Sequence, residues 1–493
     1  MFEKITPEQA GVKTENIIKY INSLEKVATT HGLLMMRNGK IFHENYWKPF
    51  NQDFCHRMYS QTKSFVGIAI VMLAERGKLN INDCIVDYFP EKINGELSEN
   101  LKKLTIRNML TMNTAGQAGN WFTDNAFDRT SYYFETNEAD HVPGTTWGYD
   151  SAGSQVLSAL VEKLSGTTLL DFLKTNLFDK MGTFKTAEML QTPNGDSWGD
   201  SAMLCTLRDM ASFAQLLANG GKWNGEELIS EYWVNQAISK QVDNHEKLTN
   251  EVFREGYGYQ IWRTAQNGFA FVGMGDQLTI CLPDRGFIFT ITSDNQIANP
   301  VARSLVVNNL FNFIIDDIVD VELPTNVEAN GKLKALCDGL KLRFVKGQED
   351  SPLRGKISGR TFVCEPNRMG FKWFKFVFED ATKGALVYEN EQGEKRIDFG
   401  VNHNVFGNFP QYGYNNQRGV VPTTDGFTFK DAVSFAWLSD NKIGVLVQII
   451  DRYFGACSMI YSFNGEDVAL HFEKSAEYFL NEYFGKANAK LVK

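Results

Sequence analysis

The sequence predicts an α/β (α+β) chain in two parts: an antiparallel sheet flanked by helices with a helical subdomain alongside, then a small all-β barrel-like domain. Three observations carry that expectation. Through roughly the first three hundred residues, long helical patterns alternate with short strands. Farther on, the texture changes to closely spaced alternating strands with turn residues between them. At 493 residues the chain is also long for a single core, so two domains are the default. The parts divide as residues 1–322 and 341–493, with 323–340 as a linker whose connector is LPTNVEANG, from Leu323 to Gly331.

Taken in order, GLLMMRNGKIFHENYW reads as a hairpin turning at Asn38-Gly39. The helix that follows Ser60 should stop near Arg76-Gly77, where glycine accepts the left-handed cap. TIRNMLTM and SAGSQVLSALVEKLSG are further helices; in the second, Val156, Leu157, Leu160, Val161 and Leu164 recur at helical spacing and Gly166 is the stop. LRDMASFAQLLANGG is another, closed by paired glycines. Strands return with FAFVGMG, QLTICLPD and GFIFTITSD, and after the connector with KFVFED, ALVYEN, GFTFKDAVSFAWL and IGVLVQIID. KSAEYFLNEYFG is expected to close the chain as an amphipathic helix.

Bulk properties narrow the function. A net charge of −9 without a basic run argues against nucleic acid or an anionic membrane as the main partner. MFEKITPEQAGV lacks a signal pattern, and no window has the length and apolarity of a membrane span. The seven scattered cysteines, odd in number and without a CxxC pair, read as reduced thiols in a cytoplasmic protein.

The chemistry is concentrated in YSQTKSFVGIAIVML, Tyr59 to Leu73, an almost unbroken apolar run whose first turn carries a serine, a threonine and a lysine. Ser60 and Lys63 are three residues apart and share one helix face. A serine at a helix amino terminus has backbone N–H groups and the positive end of the dipole beside it. A lysine desolvated by the apolar residues that follow is pushed toward its neutral amine, which can accept the serine proton and free a nucleophile. The alternative is a capping serine and a lysine that reaches for water. Spacing does not decide, because Ser23–Lys26 and Ser439–Lys442 share it; those pairs lie in more polar surroundings.

From about His31 to Asn295 the chain resembles the serine β-lactamase and penicillin-binding-protein superfamily, nearest to its class C β-lactamase-like esterases and amidases, relatives of the nylon-oligomer hydrolases included. The resemblance covers roughly two thirds of the chain and rests on ordered segments: SQTKSFVGIAI, TIRNMLTMNTAG, PGTTWGYDSAGSQVLSALVEKLSG, SAMLCTLRDMASFAQLLANGGKWNGEELIS, YGYQIW and FVGMGDQLTICLPD. It implies that Ser60 is the acylated serine and Lys63 its lysine partner. YDS stands where the family has Tyr-x-Asn, so Tyr149 inherits the proton-exchanging tyrosine and Ser151 replaces the amide that contacts an acylamide group. Literal matches at Tyr20, Tyr388 and Tyr414 lack the PGTTWG lead-in and read as coincidence. The third motif, usually Lys-Thr-Gly or His-x-Gly, becomes Phe271-Val272-Gly273, and its cation is gone. The oxyanion hole implied by the family uses the backbone N–H groups of Ser60 and Met274, which the change of side chains leaves intact.

Phe271 and Val272 would offer apolar surface where relatives hold a carboxylate, and Asp150 would add a negative charge beside Tyr149. Trp121, Phe122 and Trp147 fall where family members shape their clefts. There is no GxSxG elbow and no HExxH, and single histidines such as His56 and His141 are given structural roles. The expected function is therefore a cytoplasmic serine hydrolase that cleaves a small neutral ester, with an amide or D-amino peptide as the second substrate class and β-lactam turnover a distant third. No metal or organic cofactor is implied. The rival is a degenerate binding protein that keeps the fold without efficient turnover. Barrel appendages in related hydrolases roof the active site or mediate oligomers, and the aromatic loop FGNFPQYGYN suits either role, a homo-oligomer included.

Overall fold

Asn38 and Gly39 both take left-handed backbone, φ 49° and 76°, and their two-residue turn joins β1 (Thr30–Arg37) to β2 (Lys40–Tyr46). The computed structural model describes residues 2–121, 124, 126–247, 250–296, 300–411, 428–476 and 479–492. With β3 (Trp262–Thr264), β4 (Gly268–Gly273), β5 (Gln277–Leu282) and β6 (Phe287–Ser293), the hairpin forms one antiparallel sheet in the order β2-β1-β6-β5-β4-β3. Side chains alternate across it: Leu34 and Met36 enter one core, Leu33 and Met35 the other.

Helices cover both faces. The first core collects residues of α2 (Thr62–Glu75), α3 (Ser151–Ser165) and α4 (Leu207–Ala218); the second collects Ile17, Tyr20, Ile21 and Leu24 of α1 (Thr14–Val27) with Val306, Val307 and Leu310 of α5 (Pro300–Phe313). α2 is apolar all round because it is buried all round, from Thr62 to Leu73. It stops where Gly77 adopts φ 66°, and α3 stops at Gly166 with φ 71°.

The stretch expected as a connector is structured. Asn326 accepts from the Ala329 N–H and starts helix α6 (Val327–Gly339), whose Leu333 joins the α1 core and whose Asn330 bonds Thr14 and Glu8. The described residues of Met1–Ser293 and Val301–Lys341 form one compact unit; those of Asp294–Pro300, Leu342–Asn415 and Pro422–Lys493 form a second. No helix among the described residues is long and apolar enough to cross a membrane.

The second unit is a closed barrel of nine strands: β7 (Phe362–Cys364), β8 (Trp373–Phe378), β9 (Lys383–Asn390), β10 (Gly393–Val401), β11 (Lys430–Ser439), β12 (Lys442–Ile450), β13 (Phe454–Asn464), β14 (Asp467–Lys474) and β15 (Gly485–Leu491). Every neighbour is antiparallel except the closing pair, β10 with β11, which runs parallel through Gly400↔Ser434 and Val401↔Phe435. Closure leaves the barrel's own strands without a free edge.

The described residues of KSAEYFLNEYFG, which exclude Glu477 and Tyr478, do not make the expected closing helix. Phe479, Leu480 and Tyr483 point into the barrel core, Asn481–Tyr483 is a single 3₁₀ turn, and the chain ends as β15 between β14 and β7. Their apolar spacing suits a helix face, but all three side chains are taken up by the barrel core, and tertiary burial outweighs the local preference. In FGNFPQYGYN, Phe409 is buried and Phe406 exposed, while Tyr412–Asn415 lie outside the described residues.

One barrel carboxyl makes the stability of this unit pH-dependent. Asp431 on β11 is 3% exposed, and burial pushes its carboxyl from the ordinary 3.8 up to about 7; the Gly407 N–H pulls the other way and the Asp398 charge adds to the rise. The folded chain therefore holds this proton to higher pH than the unfolded chain. The associated stability is complete below pH 3.8 and is lost as pH rises through about 7. Asp431→Asn should match wild type in urea unfolding near pH 4 and exceed it by pH 8, by roughly 2–4 kcal/mol. Superimposable pH profiles would show that the carboxyl is not desolvated in the fold.

Candidate active site

Ser60 sits on a 3₁₀ turn, Tyr59–Gln61, that feeds directly into α2. Tyr59 adopts φ 46°, a left-handed conformation costly for a residue with a large side chain, and the turn around it is fixed by the Thr62 hydroxyl donating to the Tyr59 carbonyl at 2.6 Å. Two further ties hold the turn to the sheet. Thr279 of β5 donates to Gln61 Oε1 at 2.7 Å, and Gly273 ends β4 so close that a Cβ there would lie 2.3 Å from the Met58 carbonyl oxygen. The glycine is needed for that approach.

Ser60 does not cap the helix. Lys63 Nζ donates to Ser60 Oγ at 2.9 Å and to the Asp200 carbonyl at 2.8 Å, and the Asp200 carboxylate stands 3.8 Å away. Lys63 is 1% exposed. The sequence offered only apolar neighbours for this lysine; the fold adds a carboxylate and a carbonyl, both of which attract an ammonium. The other two Ser-x-x-Lys pairs are unlike it: Ser23 and Ser439 bond Tyr20 and Asn441 instead, and Lys26 and Lys442 are exposed.

Tyr149 joins the same group, with Lys63 Nζ 5.1 Å from the centroid of its ring. The ring stacks on Trp262 at 5.7 Å, and Trp262 meets Trp147 edge-on at 5.7 Å, so Trp147 belongs to the aromatic cluster behind the tyrosine. Ser151 begins α3, half-buried. Asp150 does not place a free charge beside Tyr149: its carboxyl caps α3 through the Gly153 N–H at 2.8 Å, accepts from the Tyr133 hydroxyl at 3.3 Å, and is pushed up by burial.

Three pocket assignments change. Phe271 is fully buried against Phe213 in the first core, and Val272 turns into the second, because β4 is covered on both faces. Trp121 packs under Arg129, whose guanidinium lies 4.8 Å from its ring and 4.5 Å from Trp198; Arg57 lies 4.5 Å from Trp198 and 4.7 Å from Tyr59. Phe122 lies outside the described residues.

The sequence reading missed Asp200 and Gln260. Gln260 is buried with φ 60°, and it accepts from Ser64 of α2 at 2.9 Å and from Ser154 of α3 at 2.6 Å while donating to the Met109 carbonyl at 2.8 Å. It thus fixes the serine-bearing helix relative to the helix that follows Tyr149. Neither residue has a sequence signal beyond its place beside a quoted motif. No group of three or more His, Cys, Asp or Glu among the described residues is arranged to hold a metal ion.

Residues 25–307 match the family model described as Beta-lactamase. The chain is 24% identical over 292 residues to the 6-aminohexanoate-dimer hydrolase of Paenarthrobacter ureafaciens, covering 55% of this chain and 74% of that protein. Among solved structures it is similar to a Bacillus anthracis chain named as a candidate 6-aminohexanoate-dimer hydrolase, with TM-score 0.54, 18% identity, and 63% of this chain and 86% of that one covered. A penicillin-binding-protein homologue from Caulobacter crescentus gives TM-score 0.50 at 13% identity, covering 61% of this chain and 97% of that one. With more than half of its length matched by the model, this chain belongs to the Beta-lactamase family, within the superfamily of serine β-lactamases and penicillin-binding proteins.

Proposed function

We propose that this chain is a serine hydrolase that cleaves a small neutral ester through an acyl-enzyme on Ser60. The observation that supports this best is the 2.9 Å hydrogen bond between Lys63 Nζ and Ser60 Oγ, at a lysine that is 1% exposed, with Tyr149 over the same nitrogen. Lys63 and Tyr149 act as one proton-sharing set. They take the Ser60 proton as Oγ attacks the carbonyl carbon, and the carbonyl oxygen gathers charge against the N–H groups of Ser60 and Met274. The tetrahedral intermediate collapses by breaking the bond to the alcohol, which leaves with a proton from Tyr149. A water activated by the same pair then displaces Ser60 and releases the acid. The aromatic surface of Tyr149 and Trp262, backed by the buried Trp147, and the loss of the third-motif cation favour an uncharged, apolar substrate.

A second reading, amide hydrolysis by the same steps, is favoured by the relative named 6-aminohexanoate-dimer hydrolase. The two differ in the leaving group, since an amine needs its proton more completely at collapse than a phenolate does.

Wild type should hydrolyse p-nitrophenyl butyrate well above background, and Ser60→Ala, checked for an unchanged far-UV spectrum, should fall to background. Equal rates would remove Ser60 as the nucleophile. The rate on p-nitrobutyranilide measured beside it ranks amide against ester. Asp200→Ala keeps the backbone carbonyl but deletes the carboxylate beside Lys63, and should lower kcat about ten-fold with KM little changed. An unaltered kcat would mean that the carbonyl alone holds the lysine.

A further inference from the structure

The third motif lacks its cation, but a different cation reaches the same turn from another element. Arg303, on α5, donates from one terminal nitrogen to the Gly273 carbonyl at 3.0 Å and from Nε to Asp276 Oδ1 at 2.8 Å. Asp276 is 2% exposed and, with Gly275, takes left-handed backbone, φ 65° and 74°, in the turn between β4 and β5. The Gly273 C=O and the Met274 N–H are the two ends of one planar peptide unit. A guanidinium that hydrogen-bonds the oxygen end draws electron density from the nitrogen end, and so makes that N–H a stronger donor. It also fixes the plane of the peptide.

The next peptide is held as firmly. Gln277 Nε2 donates to the Met274 carbonyl at 3.0 Å and to the Ser293 carbonyl at 2.6 Å. The Met274 N–H therefore has a direction set by ties on its own peptide and on the next, at a strand end pressed against Met58, two residues before Ser60.

We infer that Arg303 is the positioning residue of the oxyanion hole: through the Gly273 carbonyl it orients and polarises the peptide whose N–H, at Met274, receives the developing oxyanion. The inference rests on Ser60 being the nucleophile. Arg303 acts on the peptide and not on the substrate, so its effect is on turnover, in the same measure for neutral and anionic esters. A carboxylate-binding arginine would instead change KM, for the anionic substrate alone.

The test compares wild type, Arg303→Met, Arg303→Lys and Ser60→Ala, with melting temperatures confirming that each is folded. Two readouts are taken: kcat and KM on p-nitrophenyl butyrate and on the p-nitrophenyl hemiester of glutaric acid, and the affinity of butylboronic acid. In the boronate adduct Ser60 Oγ bonds to boron and gives up its proton, and the anionic tetrahedral boron carries a hydroxyl oxygen in the oxyanion position. Arg303→Met should lower kcat about ten-fold on both esters with KM within about two-fold, and weaken the boronic acid by a similar factor. Arg303→Lys should recover part of both losses. The inference is overturned if Arg303→Met leaves kcat unchanged, if only the hemiester KM rises, or if kcat falls while boronate affinity and the lysine variant show no parallel change. If wild type neither turns over the esters nor binds the boronate, or if Ser60→Ala binds it equally well, the Ser60 reading itself fails and the role of Arg303 falls with it.

Discussion

A lysine sealed from water must find its hydrogen-bond partners inside the protein, and the arrangement of the residues around Ser60 meets that requirement. Lys63 has a polar nitrogen to satisfy at a position with 1% of its surface exposed. It is met by Ser60, within its own turn, and by the backbone of Asp200, 137 residues away in the chain. A polar nitrogen left unpaired there would be costly, so the fold and the pair stand together. The apolar helix around Lys63 is tolerable because a stretch distant in sequence, leading into the Met203–Cys205 strand that pairs with His56 and Arg57, brings it a carbonyl and a carboxylate.

The remaining ties serve the same geometry at longer reach. Gln260 bridges α2, α3 and the Met109 carbonyl; Thr279 pins Gln61 to the sheet; Gly273 lets β4 end against Met58. Each joins elements that meet only in the folded chain. A site assembled from a helix turn, a helix entrance and a strand end is only as well defined as the contacts between those elements. Here the contacts are short, buried hydrogen bonds made to backbone as often as to side chains.

The barrel shows the opposite balance. Its interior is a continuous set of apolar and aromatic side chains, and the polar groups it buries, such as Asp431 and the Tyr388–Tyr483 hydroxyl pair, are exceptions held by particular partners. Burial decided the fate of the terminal segment. A sequence that could pass for an amphipathic helix instead gives Phe479, Leu480 and Tyr483 to the barrel core and leads into the strand β15, one of the nine that close the cylinder.

By itself the sequence determined the local features that depend on neighbours along the chain. The Asn38-Gly39 turn, the ends of α2 and α3 at Gly77 and Gly166, and the Ser60–Lys63 spacing follow from the φ preferences of single residues and from helical periodicity. The change from mixed helices and strands to a barrel was legible for the same reason. Tertiary structure alone decided which face each residue presents and which distant backbone meets it. Phe271 and Val272 became core because both faces of β4 are covered, Asp150 became a helix cap, and Leu323–Gly331 became the entry to α6. Asp200 and Arg303 act through backbone carbonyls, either as the owner of one or as a donor to one. A carbonyl is identical at every residue, so no pattern of side chains announces which one a buried cation will find.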